Sequence, residues 1–80
     1  MKLDEYHAWL EEVMSITKRG ANDVVSRLRR AMKLLDVNTI DETTIDALIA
    51  NLEFQSFNSV IKSQIKRAVS LYLEFSKGLK

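Results

Sequence analysis

Apolar residues recur at three- and four-residue spacing along most of the chain, which is the period of an amphipathic α-helix. Proline is absent and there are only two glycines, so few residues interrupt the helical pattern. The pattern predicts four helices, near residues 4–14, 18–35, 43–52 and 57–77. We therefore expect an all-α fold, in which residues 1–80 form one compact four-helix domain.

The apolar positions of each predicted helix fall on one stripe, and the stripes define the expected core. The first helix contributes Tyr6, Trp9, Leu10 and Val13. The second contributes Val24, Leu28, Ala31 and Leu35, flanked by Ala21, Val25 and Met32. The third contributes Ile45, Leu48, Ile49 and Leu52, and the fourth contributes Phe57, Ile61, Ile65, Ala68, Tyr72 and Phe75.

Residues of the types that cap helices stand at the predicted ends. The predicted N-caps are Asp4, Thr17, either Asp41 or Thr43, and Ser56, in chain order. Gly78 is a candidate C′ residue after the last helix. Gly20 weakens the first turn of the second helix, so that helix begins either at Lys18 or just after Gly20.

Charge is segregated along the chain, although the formal net charge is only +1. Residues 17–33 contain six basic residues and one acid, whereas residues 34–55 contain five acids and no base. Residues 56–80 are again predominantly basic, and residues 1–16 are acidic. Such asymmetry is typical of a chain with a face that binds a polyanion.

The residue inventory does not support catalysis. The chain has one histidine and no cysteine, so thiolate metal sites and Cys/His nucleophile pairs are excluded. Its two isolated glycines form no phosphate-binding loop. We expect no enzyme activity, no catalytic residue, no cofactor or metal, and no small-molecule substrate. The apolar runs are too short for a membrane span and the first residues are charged, so we expect a cytoplasmic protein without membrane contact.

Two predicted helices carry basic and hydroxyl side chains opposite their apolar stripes. The outer face of the second helix contains Arg19, Asn22, Ser26, Arg29, Arg30 and Lys33. That of the fourth contains Ser59, Lys62, Ser63, Lys66, Ser70 and Lys77, with Arg67 at its edge. Such side chains suit phosphate contacts, and arginine also suits a guanine edge. A face that serves only solubility is the alternative.

The two basic helices also resemble each other. Residues 26–34 and 63–71 are identical at four of nine aligned positions. This similarity either reflects the common composition of amphipathic helices or indicates a two-fold architecture in which both helices do the same work.

Several motifs resemble the core-binding domain of tyrosine recombinases, the SAM-like N-terminal domain of phage integrases. The start of that domain is similar to YHAWL at residues 6–10, SIT at 15–17 and VVSRL at 24–28. Its short third helix resembles the acidic, threonine-rich residues 38–46 with the apolar positions that follow. Its last helix resembles SVIKSQIKRA at residues 59–68.

The resemblance implies a SAM-like helical fold that clamps double-stranded DNA with two basic helices. The residues implied as DNA contacts are Thr17, Arg19, Asn22, Ser26, Arg29, Arg30, Lys33, Ser59, Lys62, Ser63, Lys66 and Arg67. The catalytic Arg, His and Tyr cluster of the family does not follow in this chain, so a catalytic recombinase domain is a further implied partner. For a single clamp, the two basic faces must lie on one side, with the acidic helices facing away.

A second function class remains open from the residues. A small helical protein-interaction module, such as one from a mobile element or phage, would dock its basic helices on an acidic partner surface. DNA binding and acidic-protein binding share their electrostatics, so composition does not separate them.

Overall fold

The computed structural model describes residues 2–78, which form five helices. These are α1 (Leu3–Glu12), α2 (Lys18–Leu35), α3 (Thr44–Ala50), α4 (Leu52–Gln55) and α5 (Ser59–Lys77). This part of the chain contains no strand, so the predicted all-α class is confirmed. The four predicted helices correspond to α1, α2, α3 and α5, and α4 is an additional single turn. None of the described helices is long and apolar enough to cross a membrane.

The start of α1 differs from the prediction. Lys2 precedes the helix and makes no side-chain cap hydrogen bond, so the assignment of Asp4 as N-cap is wrong. Asp4 instead lies in the first turn, together with Glu5. There the positive end of the helix dipole favours acidic side chains.

Thr17 caps α2, as predicted. Its Oγ1 accepts a hydrogen bond from the backbone N–H of Gly20 at 3.1 Å. A Cβ atom on Gly20 would lie 3.0 Å from Cγ2 of Ile16 and 3.2 Å from Oγ1 of Thr17. The glycine therefore makes room for the cap, and α2 begins at Lys18 and not after Gly20.

The turn before α3 uses both predicted capping residues, in different roles. Thr43 occupies the N-cap position but makes no side-chain cap hydrogen bond. Asp41 Oδ1 instead accepts hydrogen bonds from the backbone N–H of Thr43 at 2.8 Å and from its hydroxyl at 2.6 Å. These bonds hold the pKa of Asp41 below its usual value, with the Thr43 hydroxyl as the larger cause.

Two asparagines that the sequence did not indicate cap α4 and α5. Asn51 Oδ1 accepts from the backbone N–H of Phe54 at 2.9 Å, and Asn58 Oδ1 accepts from that of Ile61 at 2.9 Å. The prediction of Ser56 as a cap is wrong, because its hydroxyl donates backwards to the carbonyl of Glu53. Gly78 follows α5 with φ −75°, so it is not a left-handed C′ residue.

The core lies between α2 and α5, with α1 and α3 packed against them. The largest fully buried side chains are Tyr6, Leu10, Leu28, Leu48, Ile65 and Val69. Three predicted core residues are exposed instead: Val13 at 62%, Ile49 at 52% and Leu52 at 82%. Trp9, Met32, Leu35, Ile45, Phe57 and Ile61 are partly buried against the core. Buried residues that the pattern did not predict are Ile40, Thr44, Phe54, Val69 and Leu71.

Tyr6 joins α1 to α5 at the centre of an aromatic cluster. Its ring centroid lies 5.1 Å from that of Tyr72, 5.5 Å from that of Phe75 and 6.1 Å from that of Trp9. Its buried hydroxyl donates a hydrogen bond to the carbonyl of Ala68 at 2.9 Å. Burial raises the pKa of Tyr6 well above its usual value, and the nearby charge of Arg67 partly offsets this rise.

Replacement of Tyr6 by phenylalanine tests this contact. We expect the free energy of unfolding to fall by about 0.5–1.5 kcal/mol, because one buried hydrogen bond is lost while the ring stays packed. Since the raised pKa belongs to the folded state, Tyr6 stabilises the fold fully below about pH 10, and this contribution decreases as the pH rises above that value. Urea denaturation of both proteins between pH 7 and 11 should therefore show a shallower alkaline decrease for Tyr6→Phe. Equal slopes would contradict this assignment.

Candidate nucleic-acid interface

The predicted contacts on α2 are all exposed. Thr17 stands at the N-cap of the helix, and Arg19, Asn22, Ser26, Arg29, Arg30 and Lys33 follow on its outer surface. Within residues 2–78, none of these basic side chains lies within 4.0 Å of a carboxylate. Their N–H donors are therefore not consumed by ion pairs in this part of the chain.

Arg30 has a defined position on this face. Its guanidinium carbon lies 4.6 Å from the centroid of the Phe57 ring, in the segment that leads into α5. Arg30 and Lys33 line a cavity of about 280 Å³ together with Leu34, Glu53 and Phe57. Two predicted contacts are thus brought to the junction of α2 with the start of α5.

Asn22 makes a contact inside the domain. His7 Nε2 lies 2.6 Å from Asn22 Oδ1, and His7 Nδ1 lies 3.5 Å from a carboxylate oxygen of Glu11. The carbonyl oxygen of the Asn22 side chain therefore joins α2 to α1. Its amide N–H groups remain the donors that this side chain can offer to a ligand.

Arg29 lies close to the acidic start of α1. It lines one cavity with Asp4, His7, Asn22 and Ser26, and a second with Lys2, Asp4 and Glu5. The acids of α1 therefore border the basic face of α2, and Glu53 of α4 borders it at the other cavity. The expectation that the acidic segments face away from the basic surface is wrong at these places.

The predicted contacts on α5 differ in exposure. Ser59, Ser63 and Arg67 are exposed, whereas Lys62 and Lys66 are half-buried. Long lysine side chains can pack their methylene groups on apolar neighbours while the ammonium group stays in water, so half-burial does not remove these two charges from the surface. Between residues 2 and 78, neither lysine forms an ion pair within 4.0 Å.

The two sets of predicted contacts are not joined by a shared cavity. None of the three cavities described above is lined by a predicted contact residue of α5. The link between the sets is Phe57, which precedes α5 and holds Arg30 of α2. A single merged basic surface stays a prediction.

Three residues at this interface were not identified from sequence. Phe57 was expected to be core, His7 to be a partly exposed surface residue, and Glu53 had no assigned role. Each is placed beside a basic residue by the packing of one helix on another. The spacing of residues within one helix carries no signal for such contacts.

Comparisons with other proteins add no relative to this geometry. The chain matches no protein-family model, and searches of curated proteins and of solved structures find no significant match.

Proposed function

We propose that this chain is a cytoplasmic DNA-binding domain, similar to the core-binding domain of a tyrosine recombinase or integrase. In this proposal α2 and α5 clamp duplex DNA, and any strand cleavage belongs to a separate catalytic domain. The observation that carries the proposal is the row of exposed basic residues on α2 without ion pairs among residues 2–78.

The chemistry of the proposed interface matches a phosphate backbone. Arginine and lysine neutralise phosphates, and the serines between them are small hydroxyl donors that let the backbone approach closely. Ser26 on α2 and Ser63 on α5 occupy such positions, and both are exposed. The half-buried Lys62 and Lys66 supply charge at the flank of α5.

A salt titration of binding to a duplex of random sequence tests the proposal. If the seven basic residues of the predicted site all contact phosphates, the slope of log affinity against log salt approaches about −6. Polyglutamate of similar charge is the control, because it offers acidic groups without the spacing of a duplex. A slope near zero, or equal binding of polyglutamate and DNA, would contradict DNA binding as the function.

Protein interaction is the second candidate, and one observation favours it. Ile49 and Leu52 lie three residues apart at the α3–α4 junction, and both are exposed. Exposed aliphatic side chains occur singly on many surfaces, but neighbouring ones are more typical of a protein contact. This contact would lie on the acidic segment and not on the basic helices, so it is compatible with DNA binding.

A further inference from the structure

Arg30 differs from the other basic residues of the predicted site because an aromatic ring holds its guanidinium. Phe57 lies under the guanidinium group at 4.6 Å from its carbon to the ring centroid. Stacking restrains the long side chain and directs its in-plane N–H donors past the edge of the ring. Phe57 is half-buried and packs against the buried Phe54, with ring centroids 6.2 Å apart, so the platform itself is fixed.

The cavity beside Arg30 also contains an acid. Glu53 lines it together with Arg30 and Lys33. Among the described residues Arg30 forms no ion pair within 4.0 Å, so its donors are not satisfied by Glu53. The cavity therefore presents a planar donor fork and a separate carboxylate acceptor.

We infer that this cavity reads the major-groove edge of a guanine–cytosine base pair. Arg30 donates to O6 and N7 of guanine, Glu53 accepts from the N4 amino group of cytosine, and Phe57 positions Arg30. Guanine presents two acceptors in the major groove and cytosine presents one donor, which is the complement of this pair of side chains. The inference rests on the proposed DNA binding and adds the base pair that is recognised.

The acid separates this reading from a phosphate contact. A phosphate also accepts a bidentate guanidinium, so Arg30 alone fits either ligand. A carboxylate beside the same cavity repels a phosphate, whereas it can accept a hydrogen bond from a base amino group. Glu53 thus favours the base edge, and the cations without an adjacent acid are the better candidates for phosphate contacts.

The experiment measures base preference separately from affinity. The full chain is used to select duplexes from a randomised library, and binding of the enriched duplex is compared with duplexes in which each G·C pair is changed to A·T. One G·C pair should carry a preference of about 5- to 100-fold, the range of a good bidentate contact. Arg30→Ala should abolish the preference at that pair and leave preferences elsewhere unchanged.

Variants of Phe57 and Glu53 test the other two roles. Phe57→Leu should reduce the preference severalfold, and Phe57→Tyr should retain it because the ring is kept. In an Arg30→Ala background Phe57→Leu should have no further effect on preference, which a merely structural role of Phe57 would not predict. Glu53→Gln should weaken discrimination at the same pair while increasing affinity for all duplexes through the loss of a repulsive charge. Circular dichroism checks that each variant is folded.

The outcomes distinguish the two proposals. If the unmodified chain retains no duplex, DNA binding and the inference both fail. If it binds with the expected salt dependence but Arg30→Ala lowers affinity equally for every sequence, Arg30 contacts phosphate and the inference alone is overturned. A preference that survives Phe57→Leu unchanged would overturn the positioning role of Phe57.

Discussion

Reversing the charges of Arg29, Arg30 and Lys33 to glutamate is expected to abolish duplex binding at physiological salt. The three side chains are exposed on one surface of α2, so the change replaces three attractions to phosphate or base with three repulsions. Loss of three such contacts should flatten the salt dependence of any residual binding by about 3 in slope. The melting temperature should change by less than about 4 °C, because the core does not include these residues.

A matched variant controls for net charge. Lys2, Lys18 and Lys77 are also exposed basic residues, and they lie outside the predicted site. Their replacement by glutamate changes the net charge by the same amount and should weaken binding only modestly, through the long-range field. Binding by fluorescence anisotropy and unfolding by circular dichroism measure both effects. Equal loss in the two triple variants would show that only net charge matters, and undiminished binding of the α2 variant would contradict the nucleic-acid interface.

The long helices were predictable because several signals agreed. In α2 the apolar stripe, the Thr17 cap and the absence of proline all pointed to residues 18–35, and the structure has these bounds. Helix α5 was predicted to start two residues early, because Phe57 extends the apolar pattern backwards. The cap that sets the true start is Asn58, whose side chain competes with helical hydrogen bonds and so favours helix ends.

The α3–α4 region shows why periodicity alone can mislead. A single helix over residues 43–52 would place Ile49 and Leu52 on the buried side. Asn51 instead adopts an extended conformation with φ −77° and ψ 123°, ends α3 and caps α4. This break changes the rotational phase of the chain, so Phe54 becomes buried and Leu52 becomes exposed. Asn51 also donates a hydrogen bond to the carbonyl of Leu34 at 3.4 Å, a tertiary contact that no local pattern could indicate.

The candidate site was predictable to the extent that it depends on one helix at a time. The helical period placed Arg29, Arg30 and Lys33 opposite the core stripe, and all three are exposed. The period does not determine which neighbouring element lies beside each of them. The stacking of Arg30 on Phe57 depends on how α4 and the start of α5 pack against α2.

The other large expected effect concerns stability and depends on Leu28. Its side chain has no exposed surface and lies in the core cluster between α2 and α5. Leu28→Ala should lower the free energy of unfolding by about 2–5 kcal/mol, through the lost transfer of the removed atoms from water and the cavity left behind. Folded proteins have a total stability of only about 5–15 kcal/mol, and a chain of this length lies towards the lower end. The variant should therefore be partly unfolded or melt far below the parent protein.

Leu52→Ala is the matched control, because it removes the same atoms from a side chain that is 82% exposed. We expect its free energy of unfolding to stay within about 0.5 kcal/mol of the parent value. Urea denaturation followed by circular dichroism gives both values, and unchanged dependence on urea concentration would show that the variants unfold from a similar native state. If the two substitutions cost the same, the packing of Leu28 between α2 and α5 is wrong, and the surface assigned to the basic residues of α2 is wrong with it. A large loss confined to Leu28→Ala would establish the orientation of α2, on which the outward position of Arg29, Arg30 and Lys33 depends.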